Sequence, residues 1–458
     1  MTDKGLKMCR DKMTAAGVDP TAIDVFAHYY RLVQHGETGM IPESTIEPVE
    51  MPALADVPVS EEQAADAIAL TAVVKLNGGL GTSMGLDRAK SLLCVRRGLS
   101  FLDVIARQVL HLRREHAVPL PLIFMNSFRT SADTLTALAR YEDLAVDGLP
   151  LEFLQNMEPK IRVDSLEPVA WPVEPSLEWC PPGHGDLYTA LRGTGMLEQL
   201  IDAGYRYVFV SNSDNLGAVP DARVAGWFAQ SGAPFAIEAV RREASDKKGG
   251  HFATRVSDGR IVLRETAQTP PEDQEALADL SRHRFASTNN VWFDLHAMRD
   301  QLESRDGILG LPMIRNEKHT DPGDPQSPKV IQIETAMGAA VEVFEGAQLV
   351  EVTRERFVPV KSTSQLLLLR SDVYDLGQDF VLDLQPAAAP YVELDDAYSH
   401  VGEFDKRFPS GAPSLKKATS LVVHGDWTFE GGAQVVGDVT LDAPDGQGRV
   451  ASGTVLAD

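Results

Sequence analysis

The stretch 72-AVVKLNGGLGTSMGLDRAKSLL-93 constrains the fold most. Its β-branched apolar run predicts a buried strand, and the run stops in a loop with glycine at 78, 79, 81 and 85. Such a loop lets a ligand approach bare backbone amides, which hold phosphate oxygens or the polar edge of a base. Spacing excludes two standard phosphate loops. A P-loop requires Gly-Lys-Ser/Thr, whereas Lys90 follows Ala89. A dinucleotide fingerprint requires Gly-x-Gly-x-x-Gly running into a helix; Gly79, Gly81 and Gly85 are one residue too widely spaced, and SLLCV reads as strand. Alone, the glycine loop is as often structural as functional, so its meaning depends on its surroundings.

From about residue 70, short apolar runs alternate with helical stretches: TAVVKLN, FLDVIARQVLHLRREH, LPLIFMNS, ADTLTALARYEDL, YRYVFVSNSDN, APFAIEAV. This alternation predicts an α/β, Rossmann-like core, a mixed sheet flanked by helices that binds ligands at the carboxyl edge of its strands. Residues 1–40 read mostly as helix, with Ile23, Phe26, Tyr30 and Val33 at three- and four-residue steps. The four prolines of 41–58 predict an extended linker. In the tail, Val423, Phe429, Val435 and Leu441 recur every six residues, as do Gly425, Gly431 and Gly437. That period predicts a short β-helix rather than hairpins, packed on the core or on another subunit. The chain thus divides into an N-terminal helical segment and linker (1–55), a nucleotide-binding core (56–375) and a β-helical tail (376–458).

With 43 basic and 66 acidic residues the formal charge is −23, which argues against nucleic acid as a partner but not against a small anion in a locally basic cleft. The three cysteines, Cys9, Cys94 and Cys180, have no paired spacing, so the expected compartment is a reducing cytosol. The N-terminus has no apolar core of signal-peptide length, and no run suits a membrane span.

Four further stretches carry chemistry. In 179-WCPPGHGDLYTAL-191, prolines stiffen the approach to Gly183-His184-Gly185, and His184 offers hydrogen bonds to an oxygen-rich ligand. In 207-YVFVSNSDNLGA-218, Asp214 at a strand end suits magnesium held through one carboxylate, with phosphate completing the shell. In 286-ASTNNVWFDL-295, the amides of Asn289 and Asn290 suit sugar hydroxyls, or a plain turn. Glu334, in QIETAMGAAVEVF, offers an acceptor to such hydroxyls, and Lys361, in FVPVKSTSQLLLL, a second cation for phosphates, although each alone reads sooner as a solvated acid and a strand-end lysine. Neither a Gly-x-Ser-x-Gly elbow nor a His-Glu-x-x-His pair occurs. Glycine amides, two lysines, one carboxylate and a set of amides suit nucleotidyl transfer, in which the nucleophile is already ionised and positioning dominates.

The chain resembles the eukaryotic-type UTP–glucose-1-phosphate uridylyltransferases, the UDP-glucose pyrophosphorylase family. The likeness rests on KLNGGLGTSMG, MNSF, PPGHGD, VSNSDNLGA, DKKGGHF, ETAQTP, STNNVW, ETAMGAA and FVPVKSTSQLLL, in the family's order from about residue 70 onward. It implies a UDP-sugar and pyrophosphate formed from UTP and a hexose-1-phosphate, with Mg2+ as cofactor. It implies that Leu76, Asn77, Gly78 and Gly79 line the nucleotide site, with Gly78 near uracil, and that Met125 and Gln155 flank and read the base. Gly183 would approach the nucleotide, Lys90 the triphosphate, His184 the sugar phosphate and Asn212 the sugar side, while Asp214 binds magnesium. Asn289 and Glu334 would contact hexose hydroxyls, and Lys361 would bridge phosphates in the transition state. The implied tail is a left-handed β-helix, whose exposed end offers a contact to a second copy.

Departures from the family's pattern are Ala89 for a proline, Asp87-Arg88 for small or basic residues and Cys180 for an aromatic. His251, Ser287 and Met337, in segments near the sugar, replace a threonine, an asparagine and a small residue. Glucose-1-phosphate is the expected acceptor, with galactose- or glucosamine-1-phosphate as rivals. A non-catalytic nucleotide-sugar sensor would need neither Lys90 and Lys361 nor Asp214, and the tail has too few repeats for a β-helical acyltransferase.

Overall fold

The computed structural model describes residues 3–243, 246–247 and 249–457, so Lys248 of DKKGGHF lies outside the described residues. A ten-stranded sheet forms the centre. In chain order its strands are β1 (Ile46–Pro48), β2 (Thr71–Asn77), β3 (Leu122–Asn126), β4 (Glu152–Leu154), β5 (Tyr207–Asn212), β6 (Phe235–Arg241), β7 (His251–Arg255), β8 (Ile261–Arg264), β9 (Phe285–Asp294) and β10 (Gln348–Glu351). Their spatial order is β1-β7-β9-β5-β2-β3-β4, with β6 pairing β9 and β10, and β8 pairing β7. β5, β2, β3 and β4 are parallel, whereas β9 runs antiparallel to β5 and β6. The sheet is therefore mixed, as the alternating runs predict.

The apolar runs are continuous because both faces of the sheet are covered. Along β2, β3 and β5, Val73, Phe124 and Phe209 pack with helix Phe101–His116. Their neighbours Val74, Ile123 and Val208 pack with helix Asp186–Gly193 on the other face. Alternate residues of one strand thus serve two layers.

The N-terminal pair of helices, Lys4–Ala15 and Pro20–Gln34, forms where the sequence predicts helix. Pro20 sits in the first turn of the second helix and Asp19 caps it, accepting from the Thr21 N–H at 2.8 Å. Leu6, Met13, Phe26 and Tyr30 bury against Ile161, Met313, Ile331 and Ile333 of a small three-stranded sheet. Part of the expected linker is regular structure: β1 adds an edge strand antiparallel to β7.

In the tail, Ser414–Phe429 and Gln434–Val450 are long parallel neighbours in a four-stranded sheet. Leu421 faces Val439 and Val423 faces Leu441, three six-residue repeats apart. Val423, Phe429 and Val435 are buried and Leu441 half-buried, so the six-residue period marks the inward positions. Gly425 has φ +82°, and a Cβ there would lie 2.2 Å from the Ala443 carbonyl oxygen, so the stacking requires glycine. The tail joins the main core through Leu366, Tyr398 and Phe404. Among the described residues no helix is long and apolar enough to cross a membrane.

One ion pair has its carboxylate wholly inside the core and its guanidinium 11% exposed. Glu238 of β6, 0% exposed, accepts from Arg356 Nε and Nη2, both at 2.6 Å, and from Asn290 Nδ2 and Trp292 Nε1 at 3.0 and 2.9 Å. Arg356→Met strands that carboxylate and is expected to cost about 3–5 kcal/mol, read as a lower urea midpoint. Adding Glu238→Gln is expected to recover most of the loss.

Candidate active site

The parallel strands end together. Asn212 pairs with Leu76, Leu76 with Met125, and Asn126 with Leu154, so the ends of β5, β2, β3 and β4 form one rim. Gly78 follows directly, and a Cβ on it would lie 2.4 Å from Gln155 Oε1. The glycine therefore presses its bare backbone against the Gln155 amide, joining two residues far apart in sequence. Gly79 faces open space, with nothing within 4 Å of a Cβ built on it. Leu76 and Asn212 are half-buried at the rim. The Asn77 amide turns inward, donating to Asn126 Oδ1 at 2.8 Å and Thr134 Oγ1 at 2.9 Å, so its side chain secures the loop's root. Met125 is 1% exposed within the core, close beneath the rim rather than open to it.

At the other end of the loop two lysines meet one carboxylate. Lys90 Nζ donates to Asp214 Oδ2 at 2.7 Å and to the Val360 carbonyl at 2.5 Å. Lys361 Nζ lies 3.5 Å from the same oxygen, with its side chain 60% exposed against 16% for Lys90. One lysine is half-buried and hydrogen-bonded, and the other is largely exposed. Asp214 Oδ1 is buried and has no hydrogen-bond partner among the described residues. A carboxylate oxygen left unpaired beside a glycine loop and two lysines fits a divalent cation. Among the described residues no three His, Cys, Asp or Glu side chains cluster as a metal cage. One carboxylate plus ligand phosphates is a common arrangement for magnesium. Ala89 is buried with φ −51°, the value a proline would impose, so the departure at this position keeps the loop's path.

The Pro-Pro-Gly-His-Gly loop docks on the end of strand Lys329–Thr335. Gly185 N–H donates to the Thr335 carbonyl at 2.8 Å, and Thr335 N–H to the Pro182 carbonyl at 3.0 Å. Gly183 has φ +79°, and a Cβ there would lie 2.5 Å from the Thr335 oxygen. This docking brings Gly183 beside Glu334, whose carboxylate is 3.9 Å from Lys318 Nζ. Met337 N–H donates to His184 Nδ1 at 2.9 Å, which makes Nδ1 the acceptor and leaves the proton on Nε2. Burial and the nearby Lys361 charge push the imidazole pKa down to about 4, so the ring is neutral. Met337 thus acts through its backbone, and its side chain is buried in the core.

Asn289 stands at a bulge in β9: Glu238 pairs with Asn290 and Ala239 with Ser287, so two residues are extruded. Its φ of +57° is rare for a residue with a side chain, and its N–H rests on Ser287 Oγ at 3.1 Å. Asn290, the other amide, is 0% exposed and spent on Glu238, so only one of the pair is extruded. Two residues within quoted motifs went unassigned in the sequence. Burial raises the Glu265 pKa against the opposing pull of the Lys361 charge, and a Cβ on Gly250 would lie 2.6 Å from its Oε2; the first residue of ETAQTP was its signal. Asp186, which closes PPGHGD, is buried against Asn156.

The chain is similar over most of its length to known proteins. Residues 23–436 match the family described as UTP–glucose-1-phosphate uridylyltransferase. The chain is 36% identical over 391 residues to a probable UTP–glucose-1-phosphate uridylyltransferase of Schizosaccharomyces pombe, covering 84% of this chain and 76% of the relative. It is 36% identical over 418 residues to the Pyrus pyrifolia UTP–glucose-1-phosphate uridylyltransferase, covering 90% and 86%. A variant of Leishmania major UDP-glucose pyrophosphorylase, solved in complex with UDP-glucose, superposes with a TM-score of 0.94 at 40% identity, over 100% of this chain and 99% of that one. A Trypanosoma brucei UDP-glucose phosphorylase superposes with a TM-score of 0.92 at 41% identity, over 99% and 98%.

Packing takes one expected contact out of the cleft. The His251 side chain does not face a sugar: it is 0% exposed, stacked on His283 at 3.8 Å, and accepts from Arg264 Nε at 3.0 Å. Burial, then the His283 and Arg264 charges, lowers its pKa from 6.5 to about 2. The unfolded chain therefore binds the extra proton throughout that interval, and stability falls as pH drops below 6.5. Melting temperature is expected to decline from pH 6.5 downward. His251→Gln, which keeps an acceptor for Arg264, is expected to show a shallower slope in the same titration.

Proposed function

The chain belongs to the UTP–glucose-1-phosphate uridylyltransferase family, and from that premise we propose that this nucleotidyltransferase makes UDP-glucose and pyrophosphate from UTP and glucose-1-phosphate. The observation that carries the reading is the meeting of Lys90 and Lys361 on Asp214 at the end of the glycine loop. A phosphate oxygen of the sugar phosphate bonds to the α-phosphorus of UTP. The bond from that phosphorus to the oxygen bridging it to the β-phosphate breaks, and pyrophosphate carries away the electron pair. The nucleophile is already an anion, so the protein's work is alignment and charge neutralisation.

Gly78 and Gly79 give backbone access to the base, and Gln155 reads its polar edge. Leu76, Asn77 and Met125 form the wall beneath, and Gly183 borders the nucleotide opposite. Lys90, held by Asp214 and the Val360 carbonyl, is a fixed cation for the triphosphate. Lys361, largely exposed, follows the negative charge as it shifts between the two substrates. His184 presents its Nε2–H to a sugar-phosphate oxygen, because Met337 occupies Nδ1. Asn212, Asn289, Glu334 and Glu265 offer amides and carboxylates to hexose hydroxyls. Mg2+, held by Asp214 Oδ1 and phosphate oxygens, would neutralise charge at the reacting phosphates.

The parallel register of the tail, three six-residue repeats per turn, supports a left-handed β-helix. Its terminal strand Val455–Ala457 pairs on one side only and offers its other edge to a second copy. Unpaired Cys9, Cys94 and Cys180 support a reducing, cytoplasmic setting.

The decisive assay offers UTP with glucose-, galactose- and glucosamine-1-phosphate and measures pyrophosphate, with Mg2+ and with EDTA. Glucose-1-phosphate is expected to give the highest kcat/KM, and EDTA to abolish release; a clear preference for another sugar overturns the acceptor assignment. Lys361→Ala is expected to lower kcat by about a hundredfold or more while UTP KM changes by about threefold at most. Equal losses in both would move Lys361 to ground-state binding.

A further inference from the structure

Two walls of the cleft come from segments distant in sequence, Gln155-Asn156 after β4 and the Gly183–Asp186 loop before helix Asp186–Gly193. One buried carboxylate joins them. Asp186, 4% exposed, accepts the Asn156 backbone N–H on Oδ2 at 2.6 Å and Asn156 Nδ2 on Oδ1 at 2.9 Å. Each oxygen takes a different donor of one residue, so the contact fixes both position and orientation. The neighbouring residue on one side is Gln155, tied by its own N–H to the Asn126 carbonyl at 2.8 Å and pressed on Gly78. Two residues away on the other side is His184, tied through Nδ1 to Met337.

We propose that Asp186 is a positioning residue for base selection: by clamping Asn156 it holds the Gln155 amide against the glycine loop in a register set by the sugar-phosphate loop. The inference rests on the uridylyltransferase reading above, in which Gln155 faces uracil. Its physical basis is the directional demand of a base edge. An amide that reads a donor–acceptor pattern discriminates only while its plane is fixed, and Gln155 has a rotamer-rich, half-buried side chain whose amide lies against the backbone of Gly78. The clamp acts at the backbone one residue away and is shielded from water competition by its burial. Behind it is a small cavity of about 30 Å³ bordered by Asn156, Glu158, Asp186 and Tyr29. Glu158 is 4% exposed, and its Oε1 has no hydrogen-bond partner among the described residues, so no second acceptor is shown on the Asn156 donors from that side.

The role separates cleanly from a general loss of stability, because misfolding lowers the rate with every nucleotide alike. Asp186→Ala is expected to lower kcat/KM for UTP by about ten- to a hundredfold, the range of hydrogen bonds to a charged acceptor. The rate with CTP is expected to fall far less, so the UTP-to-CTP ratio falls about tenfold. Asp186→Asn is expected to keep the ratio within about threefold, since Asn156 can flip its amide and pair with the new one. Should Asp186→Ala fail to fold, Asn156→Ala carries the test: it removes one bond, leaves the backbone bond, and is expected to lower the ratio about threefold. An unchanged ratio in the folded alanine variant overturns the inference. A wild-type chain that makes no UDP-sugar from UTP overturns the reading beneath it instead.

Discussion

The lysine-bearing end of this cleft depends on the pairing of Glu238 with Arg356. The pair lies behind the site, yet it fixes what the site can do. Arg356 begins the segment that reaches Lys361, and its guanidinium also donates to the Val219 carbonyl at 3.0 Å. Its own carbonyl accepts from Asn215 Nδ2 at 3.1 Å, and Val358 N–H donates to Asn215 Oδ1 at 2.9 Å. The strand-end loop with Asp214 and the segment with Lys361 are thereby bolted to each other. A buried ion pair is a poor source of stability but a strict specifier of geometry when every lone pair is met. Here four donor contacts satisfy the Glu238 carboxylate.

The same core explains how a chain of charge −23 receives anions. Lys75, 1% exposed, sits within β2 and donates to Ser211 Oγ and the Ala218 carbonyl, both at 2.7 Å. Burial, and then the Arg356 charge, lowers its pKa to about 7, so near neutrality its charge is lightly held. The lysines that face the cleft are handled differently. Lys90 and Lys361 both rest on Asp214, which supplies the counter-charge they need before an anion arrives. In the proposed reaction an arriving phosphate would compete with that carboxylate for the lysines and add charge that a cation at Oδ1 would offset. The acidic surface elsewhere has little bearing on this, because exposed charges beyond a Debye length of about 8 Å are largely screened.

The parts legible in the sequence were those set by local rules. The glycine loop, the strand ends, the N-terminal helices and the six-residue period of the tail all follow from backbone geometry and burial within a short window. The parts not legible depend on partners far along the chain. Asn77 and Asn290 look like ligand-facing amides and serve the scaffold, because Thr134 and Glu238 lie beside them in space only. His251 follows two glycines in a cleft segment, yet it is drawn inward by Arg264 and His283. The strand Ile46–Pro48 was hidden among prolines, since an edge strand needs so few backbone partners. Asp186 and Glu265 sat in quoted motifs without a role, for a carboxylate's role is read from what it accepts.

These partnerships also bear on the proposed discrimination between sugars. The segments around His251 and Met337 depart from the family's pattern, but both side chains are buried, and Met337 reaches the cleft only through the N–H it gives His184. Ser287 is different. Its hydroxyl is the support under the Asn289 N–H, at the bulge that extrudes Asn289 from β9. A longer amide at this position would alter that support and the strained φ of +57° above it. Of the three departures on the sugar side, the serine is therefore the one whose side chain bears directly on a proposed hexose contact. Its effect runs through the orientation of Asn289 and not through any contact of its own. That route suits a pocket that selects by paired polar groups, where turning one amide costs more than trimming one surface.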